Sequence, residues 1–535
     1  MIKIAYVIAL NRNPFSDFPK LVNLLENFKV NMGKSCHERM TCIRMINCVA
    51  NEMRLKLIRQ IVQSNQKISL IVDESDTVAK DSCLIFYISS VFENIPQTFF
   101  LTIEKLEQKD SNSIFRLILD TLEKFGLSIG FLNENLIHFV SDGASTFVGS
   151  QAGVGKLLKN VVKDLVIWHC IAHRLELSIA DARLKFPPID YLQTVFAQLF
   201  SFYSRSSKRI QQIRDICEEL GSKFLKIGKI FTIRWIFSSY SSIDSLLKSY
   251  DSIYEQMKRE NQNMFDQLKS LELVVNLLIF REMIKPIAIL SKQLQEKNLN
   301  LIDAHKLILI CVQKVEELGN YESIEVNEVL RSRKYKGISL VNLDLTEMID
   351  RKEFSLEISK RIRERSVSTI YRKSSNQDQI NESQSEYVKL YKFLRFANRD
   401  YWPEKIDANF GEEEIQQAAD LFKIDKLALS GEFGIFKTIG VIKPTFRKFI
   451  NICETFVVSS ADAERGFSLM NEILTEDRNR LIIENLASCM FIAALKMPIE
   501  LFDPTDYAKK WLMTHQDTLS ARNTGHKKEN EISIL

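Results

Sequence analysis

The chain has 535 residues, 45% hydrophobic and 26% charged, with 72 Lys and Arg against 68 Asp and Glu for a net charge of +4. That length buries a core without disulfide or metal staples, which excludes a small stapled scaffold, and it allows roughly three domains at ~100–200 residues each. Only 17 Gly and 10 Pro occur, too few for a turn-rich all-β protein or a Gly-rich disordered one, so helix is expected to dominate.

In chain order, an N-terminal helical segment is expected over 1–60. Its apolar stretch 4–10 is short and runs into Asn11, Arg12, Asn13 and Pro14, which is not a small-residue cleavage site, so a secretory signal is not expected. Between 67 and 183 short β-rich runs alternate with helical ones. Strands are expected at 68–72, ending at Asp73, and at 84–89 and 98–103. Ile114, Leu117, Ile118 and Leu122 then share one helix face across 113–125. A fourth strand at 136–140 ends just before Asp142, and a helix at 149–159, a strand at 165–169 and a helix at 172–183 follow.

Three strands joined by short turns, then two reached through helices, describe an antiparallel meander continued by parallel crossovers. The expected fold class is α/β plus α: an RNase H-like mixed sheet interrupted by a large all-helical insertion. The first part of that core is assigned to 61–186, the insertion to 187–440, its completion to 441–500 and a tail to 501–535. In such a sheet Asp73 and Asp142 converge at one edge, although a strand-end Asp taken alone is more often a turn or cap residue.

Amphipathic runs at 191–202, 268–294 and 304–318 fill the insertion. The apolar region 271–290 is broken by Glu272, Arg281, Glu282 and Lys285, so it reads as a buried helix rather than a membrane span. The Ser/Asn/Gln-rich run 366–385 reads as a loop. Helices resume at 443–456, 460–474 and 481–495. The nine cysteines are scattered without a C-x-x-C pair, which fits a reducing compartment and argues against zinc fingers.

Residues 201–235 hold eight basic residues, among them Lys223, Lys226, Lys229 and Arg234, against three acidic ones, and end at Trp235. The local excess of five exceeds the net charge of the whole chain. The three lysines recur at three-residue spacing, as on a helix face that tracks phosphates, although a solvated face and a core Trp account for the same pattern. Cys170 and His173 form a C-x-x-H pair without a second pair to complete a structural zinc site.

Five blocks in order resemble a hAT-superfamily transposase: Ile71 to Ser75 (IVDES), Ser141 to Ser145 (SDGAS), Trp168 to Leu177 (WHCIAHRLEL), Thr232 to Trp235 (TIRW) and Ser459 to Ser468 (SSADAERGFS). The resemblance spans 14–495 and is greatest to the transposase-derived group domesticated in animals, some of whose members are described as SUMO ligases or zinc-finger proteins. It implies that Asp73, Asp142 and Glu464 are catalytic carboxylates holding two magnesium or manganese ions, because hard oxygens suit these ions and two metals suit phosphoryl transfer in DNA. It also implies that Cys170 and His173 support DNA and metal placement, and that Trp235, with Arg234 and the three lysines, binds DNA. The C-terminal block matches the region the family uses for dimerisation, which assigns Phe467, Leu486, Met490 and Phe491 to self-association.

Two function classes stay open. One is a nuclear, metal-dependent DNA transposase that cuts DNA and joins strands. The other is a non-catalytic DNA- or chromatin-binding interaction protein, with a SUMO-ligase-like role resting on analogy alone, since the sequence has no RING-like Cys/His array. Relatives carry an N-terminal zinc finger for target recognition, and Cys36, His37, Cys42 and Cys48 have the wrong spacing to replace one.

Overall fold

Ile68, Leu70 and Val72 on one face and Ser69 and Ile71 on the other are all buried, the mark of a strand covered on both sides. In the computed structural model this run opens strand β1 (Ile68–Asp76), followed by β2 (Ser82–Phe92) and β3 (Ile95–Lys105). The residues described are 1–33, 35–149, 152–220, 225, 228, 235–297, 299–367, 390–475, 478 and 481–514. They divide into two compact units, one formed by Met1–Trp168 with Gly411–Leu535 and the other by His169–Phe410.

The first unit begins with helices α1 (Ile2–Leu10), α2 (Asp17–Asn27) and α3 (Arg39–Gln63). After the three strands come α4 (Ser111–Lys124), α5 (Ile129–Asn135), β4 (Leu136–Ser141), the short α6 (Ser145–Val148), α7 (Val154–Val161) and β5 (Val166–His169). The Asp110 side chain accepts the N–H groups of Asn112 and Ser113, satisfying two orphan donors and fixing where α4 starts.

The chain forms a mixed α/β sheet of five strands in the order β3-β2-β1-β4-β5. β1 pairs antiparallel with β2, and β2 with β3, whereas β1 and β4 are parallel with Ile71 opposite Val140. One face of the sheet presents Leu70, Val72, Leu84, Phe86, Ile88 and Phe139 to Ile114, Ile118 and Leu122 of α4 and Val154 and Leu158 of α7.

The second unit is mainly helical and contains α8 (Ile171–Arg183), α9 (Pro187–Ser204), α10 (Ser207–Glu219), α11 (Trp235–Lys248), α12 (Tyr250–Glu260), α13 (Gln262–Gln267), α14 (Leu271–Gln293), α15 (Leu301–Gly319), α16 (Ile324–Ser332) and α17 (Arg351–Ile362). A short hairpin pairs Tyr335 with Ile338. The apolar run around 271–290 is the buried helix α14, with buried residues on all sides from Leu271 to Ser291. The side chain of Asn276 on it is satisfied by Glu347 O and Ile349 N–H, both at 2.8 Å. No helix among the described residues is long and apolar enough to cross a membrane.

The chain returns to the first unit with α18 (Glu412–Phe422), α19 (Lys426–Ile439), α20 (Pro444–Thr455), α21 (Ala461–Ile473) and α22 (Ile483–Leu495). The boundaries differ from the sequence expectation of 187–440. Helix α8 packs on α17 and so belongs to the inserted unit, whereas α18 packs on α19 and α19 on α20, which carries both into the first unit. Most of the Ser/Asn/Gln-rich run, from 368 on, and the tail beyond 514 lie outside the described residues. No disulfide joins any of the nine cysteines.

Candidate functional site

The second face of the sheet can be read from strand register. Ser69 Oγ donates to Thr455 O at 2.7 Å and meets His138 Nδ1 at 3.3 Å, so Ser69 and His138 point to the same side. Alternation then puts Ile71 and Asp73 of β1, and Val140 and Asp142 at the end of β4, on that side too. Asp73 sits opposite Ile85 of β2. Asp73 lies within β1 and Asp142 just past the end of β4, each two residues beyond the last β1–β4 rung.

Local structure holds each carboxylate. Asp73 is buried at 4% exposure, and its Oδ1 accepts the Glu74 N–H at 3.0 Å. Asp142 is half-buried and its Oδ1 accepts the Ala144 N–H at 3.0 Å. Between them in that turn stands Gly143 at φ +85°, a left-handed conformation that glycine adopts without the Cβ penalty. Lys109 bonds Glu74 at 2.6 Å and Asp76 at 3.2 Å, neutralising part of the acidic tip of β1. Hydrogen bonds from Ser82 and Lys109 lower the pKa of Asp76.

Helix α21 brings Glu464 to the same face. It packs on β2 and β1, and Gly466 makes the approach possible: a Cβ there would stand 2.4 Å from Ile85 Cδ1 and 2.6 Å from the Tyr87 hydroxyl. Ala463, Gly466, Phe467 and Met470 form the buried stripe. Asp462 and Glu464 flank it, about 200° apart around the helix. Burial, and secondarily the charge of Asp462, raises the pKa of Tyr87. Just ahead of α21, Ser459 Oγ accepts the Ala461 N–H at 3.2 Å. Trp168 Nε1–H donates to Val458 O at 3.0 Å and ties the end of β5 to the segment leading into α21.

The donors are hard oxygens of the kind magnesium and manganese prefer, and two of them share a strand-end face. The third does not close the set: among the described residues no three His, Cys, Asp or Glu side chains come together as a metal-holding group.

Cys170 and His173 belong to the second unit. Cys170 is buried at the start of α8 and the His173 ring lies 5.4 Å from that of His169. Lys223, Lys226, Lys229 and Arg234 lie outside the described residues, as does the side chain of Trp235, whose backbone opens α11. Among the described members of the basic stretch, Arg205 and Arg209 line a cavity of about 800 Å³ with Gln193 and Asn261, and Arg209 stacks over Phe202 at 4.0 Å.

The four residues assigned to dimerisation are corrected by burial. Phe467 is 7% exposed, Leu486 and Met490 0% and Phe491 2% within the single chain. The broad apolar surface of α22 is taken up by β3, α3, α1 and α21, leaving none of these side chains for a partner. Two neighbours of the site escaped the sequence reading. Gly466 is signalled by the small residues Ala463 and Gly466 at i, i+3 spacing, whereas His138 carries no signal beyond its place in an apolar strand. No protein-family model matches the chain.

Proposed function

We propose that the chain is a hAT-type DDE transposase or a protein derived from one, which binds DNA in the nucleus and cuts and joins its strands with magnesium or manganese. The observation that carries this reading is that Asp73 within β1 and Asp142 just past β4 each follow the last rung between these parallel strands by two residues, on the face against which α21 packs. The sheet order, with an antiparallel meander on one side of β1 and parallel β4 on the other, supports an RNase H-like core interrupted by a helical unit.

In this reading Asp73 and Asp142 would hold the divalent ions, while Glu464, the third carboxylate the resemblance implies, is not gathered with them into a metal-holding group. Such ions supply charge stabilisation at the phosphoryl oxygens and an activated oxygen nucleophile. Burial of Asp73 fixes its carboxylate, and the turn through Gly143 orients that of Asp142. The basic stretch ending at Arg234 and Trp235 would track phosphates and stack a base, the latter worth ~1–3 kcal/mol. Self-association belongs to the same reading and would use surfaces other than Phe467, Leu486, Met490 and Phe491.

A second reading, a non-catalytic DNA- or chromatin-binding protein, draws on the hydrogen bonds of the two aspartates. Each Oδ1 caps a backbone N–H, which is what a structural strand-end Asp does. Nicking of supercoiled DNA in magnesium or manganese separates the two. Nicking by wild type that Asp142→Asn abolishes supports the enzyme, whereas equal activity in both, or none in either, supports the interaction protein.

A further inference from the structure

Residues 64–67, between α3 and β1, and the end of β2 form one wall of a cavity of about 430 Å³ in the first unit. The other wall is a face of α20, where Arg447, Lys448, Asn451 and Thr455 recur at the three- and four-residue spacing of neighbours on a helix. Three of the lining residues are cationic, Lys67, Arg447 and Lys448, and among the described residues that line it none is Asp or Glu.

The charged groups are accessible. Lys67 Nζ donates to Glu134 O at 2.5 Å in a solvent-exposed bond and keeps two protons. Lys448 is exposed and Arg447 half-buried; neither makes a hydrogen bond or ion pair with a described residue, and no guanidinium nitrogen of Arg447 is sealed from solvent. Burial, then the charges of Lys448 and Lys423, lower the pKa of Lys67, with Glu134 and Asp164 acting against them, so the charge of Lys448 is felt across the cavity. Asp164 is taken by Lys423 at 3.3 Å. Glu134 and Glu454, the latter interacting with Arg447 only through space, do not line the cavity. Two outlying carboxylates thus stand against three cations in its walls.

We propose that this cavity binds the terminal phosphate of a small molecule, held by Arg447 and Lys448 from one wall and Lys67 from the other. Like charges brought together from two walls repel unless an anion lies between them. A phosphate monoester carries close to two negative charges and three acceptor oxygens, one for each cation, whereas a carboxylate or a phosphodiester of a DNA backbone carries a single charge. Arg447 offers a planar fork to two of the oxygens, and the lysines act as point charges. Lys67 precedes Asp73 by six residues, roughly 20 Å along an extended strand. The site uses none of Asp73, Asp142 or Glu464 and is independent of the DNA-processing reading.

Equilibrium dialysis of the full chain against labelled inorganic phosphate tests it, with ionic strength held constant by sodium chloride. Wild type takes up phosphate saturably, and glycerol 3-phosphate displaces it. Arg447→Gln/Lys448→Gln weakens uptake at least ~10-fold and keeps the circular dichroism of wild type. Lys448→Glu, a single change at an exposed position, weakens it as well, so the test stands if the double variant does not fold. Lys258→Gln/Arg259→Gln, which removes two exposed cations of α12, leaves uptake unchanged. The proposal is overturned by no saturable uptake in wild type, by uptake that the changes at Arg447 and Lys448 leave intact, or by equal weakening in the α12 variant. Displacement by a thymidine oligonucleotide without terminal phosphates, but not by glycerol 3-phosphate, overturns it too.

Discussion

Replacing His138 by Gln removes a pH dependence that the environment of this residue dictates. His138 is 1% exposed on β4, its ring centre 4.9 Å from that of Phe456 and 6.2 Å from that of Trp168. Ser69 spends its proton on Thr455 O, so the 3.3 Å contact requires His138 Nδ1–H to donate to Ser69 Oγ. Nδ1 therefore carries a proton, and Nε2 is buried without a partner. Burial lowers the pKa from 6.5 to about 3. The unfolded chain binds the extra proton between these values, so stability is complete above 6.5 and falls as pH drops toward 3. Between pH 7.5 and pH 5 the loss from this one group is about 2 kcal/mol. Urea unfolding at both pH values, followed by Trp fluorescence, measures it. Wild type loses about 2 kcal/mol more than His138→Gln over that interval, and equal losses in the two proteins refute the reasoning.

Two further perturbations test the packing around the site. Gly466→Val places side-chain atoms where Ile85 and the Tyr87 hydroxyl already stand, so it destabilises the chain by about 1–3 kcal/mol in denaturant unfolding and lowers any DNA-nicking activity by displacing α21. Met490→Ala opens a cavity in the core of the first unit, costing about 2–5 kcal/mol, and leaves the oligomeric state measured by light scattering unchanged. A shift from oligomer to monomer would restore Met490 to an interface.

The sheet was legible because its strands are apolar runs bounded by polar residues, and their spacing fixed which pairs had to be neighbours. β1 nevertheless runs on through Asp73, Glu74, Ser75 and Asp76, residues of poor strand propensity, because each pairs with β2 from Ile85 to Ser82; tertiary pairing overrides local preference there. α5 went unseen, since seven residues are too few to display a helical period. The juxtaposition of Asp73 and Asp142 followed from strand order. The position of Glu464 did not, because it depends on how α21 meets β2 across Gly466. The apolar surface of α22 was misread as an interface because a sequence does not reveal that α1, α3 and β3 converge on it. Arg54 was equally opaque: a basic residue in a helix reads as solvated, yet this one is 5% exposed beside the rings of Phe125 and Phe491.

The central claim, that Asp73 and Asp142 form a divalent-metal centre, is tested most directly by titrating the full chain with manganese and following the free ion by paramagnetic resonance. Wild type takes up manganese, and the double variant Asp73→Asn/Asp142→Asn weakens that uptake at least ~10-fold while retaining its fold by circular dichroism. Manganese binding of equal strength in the two proteins would contradict the account.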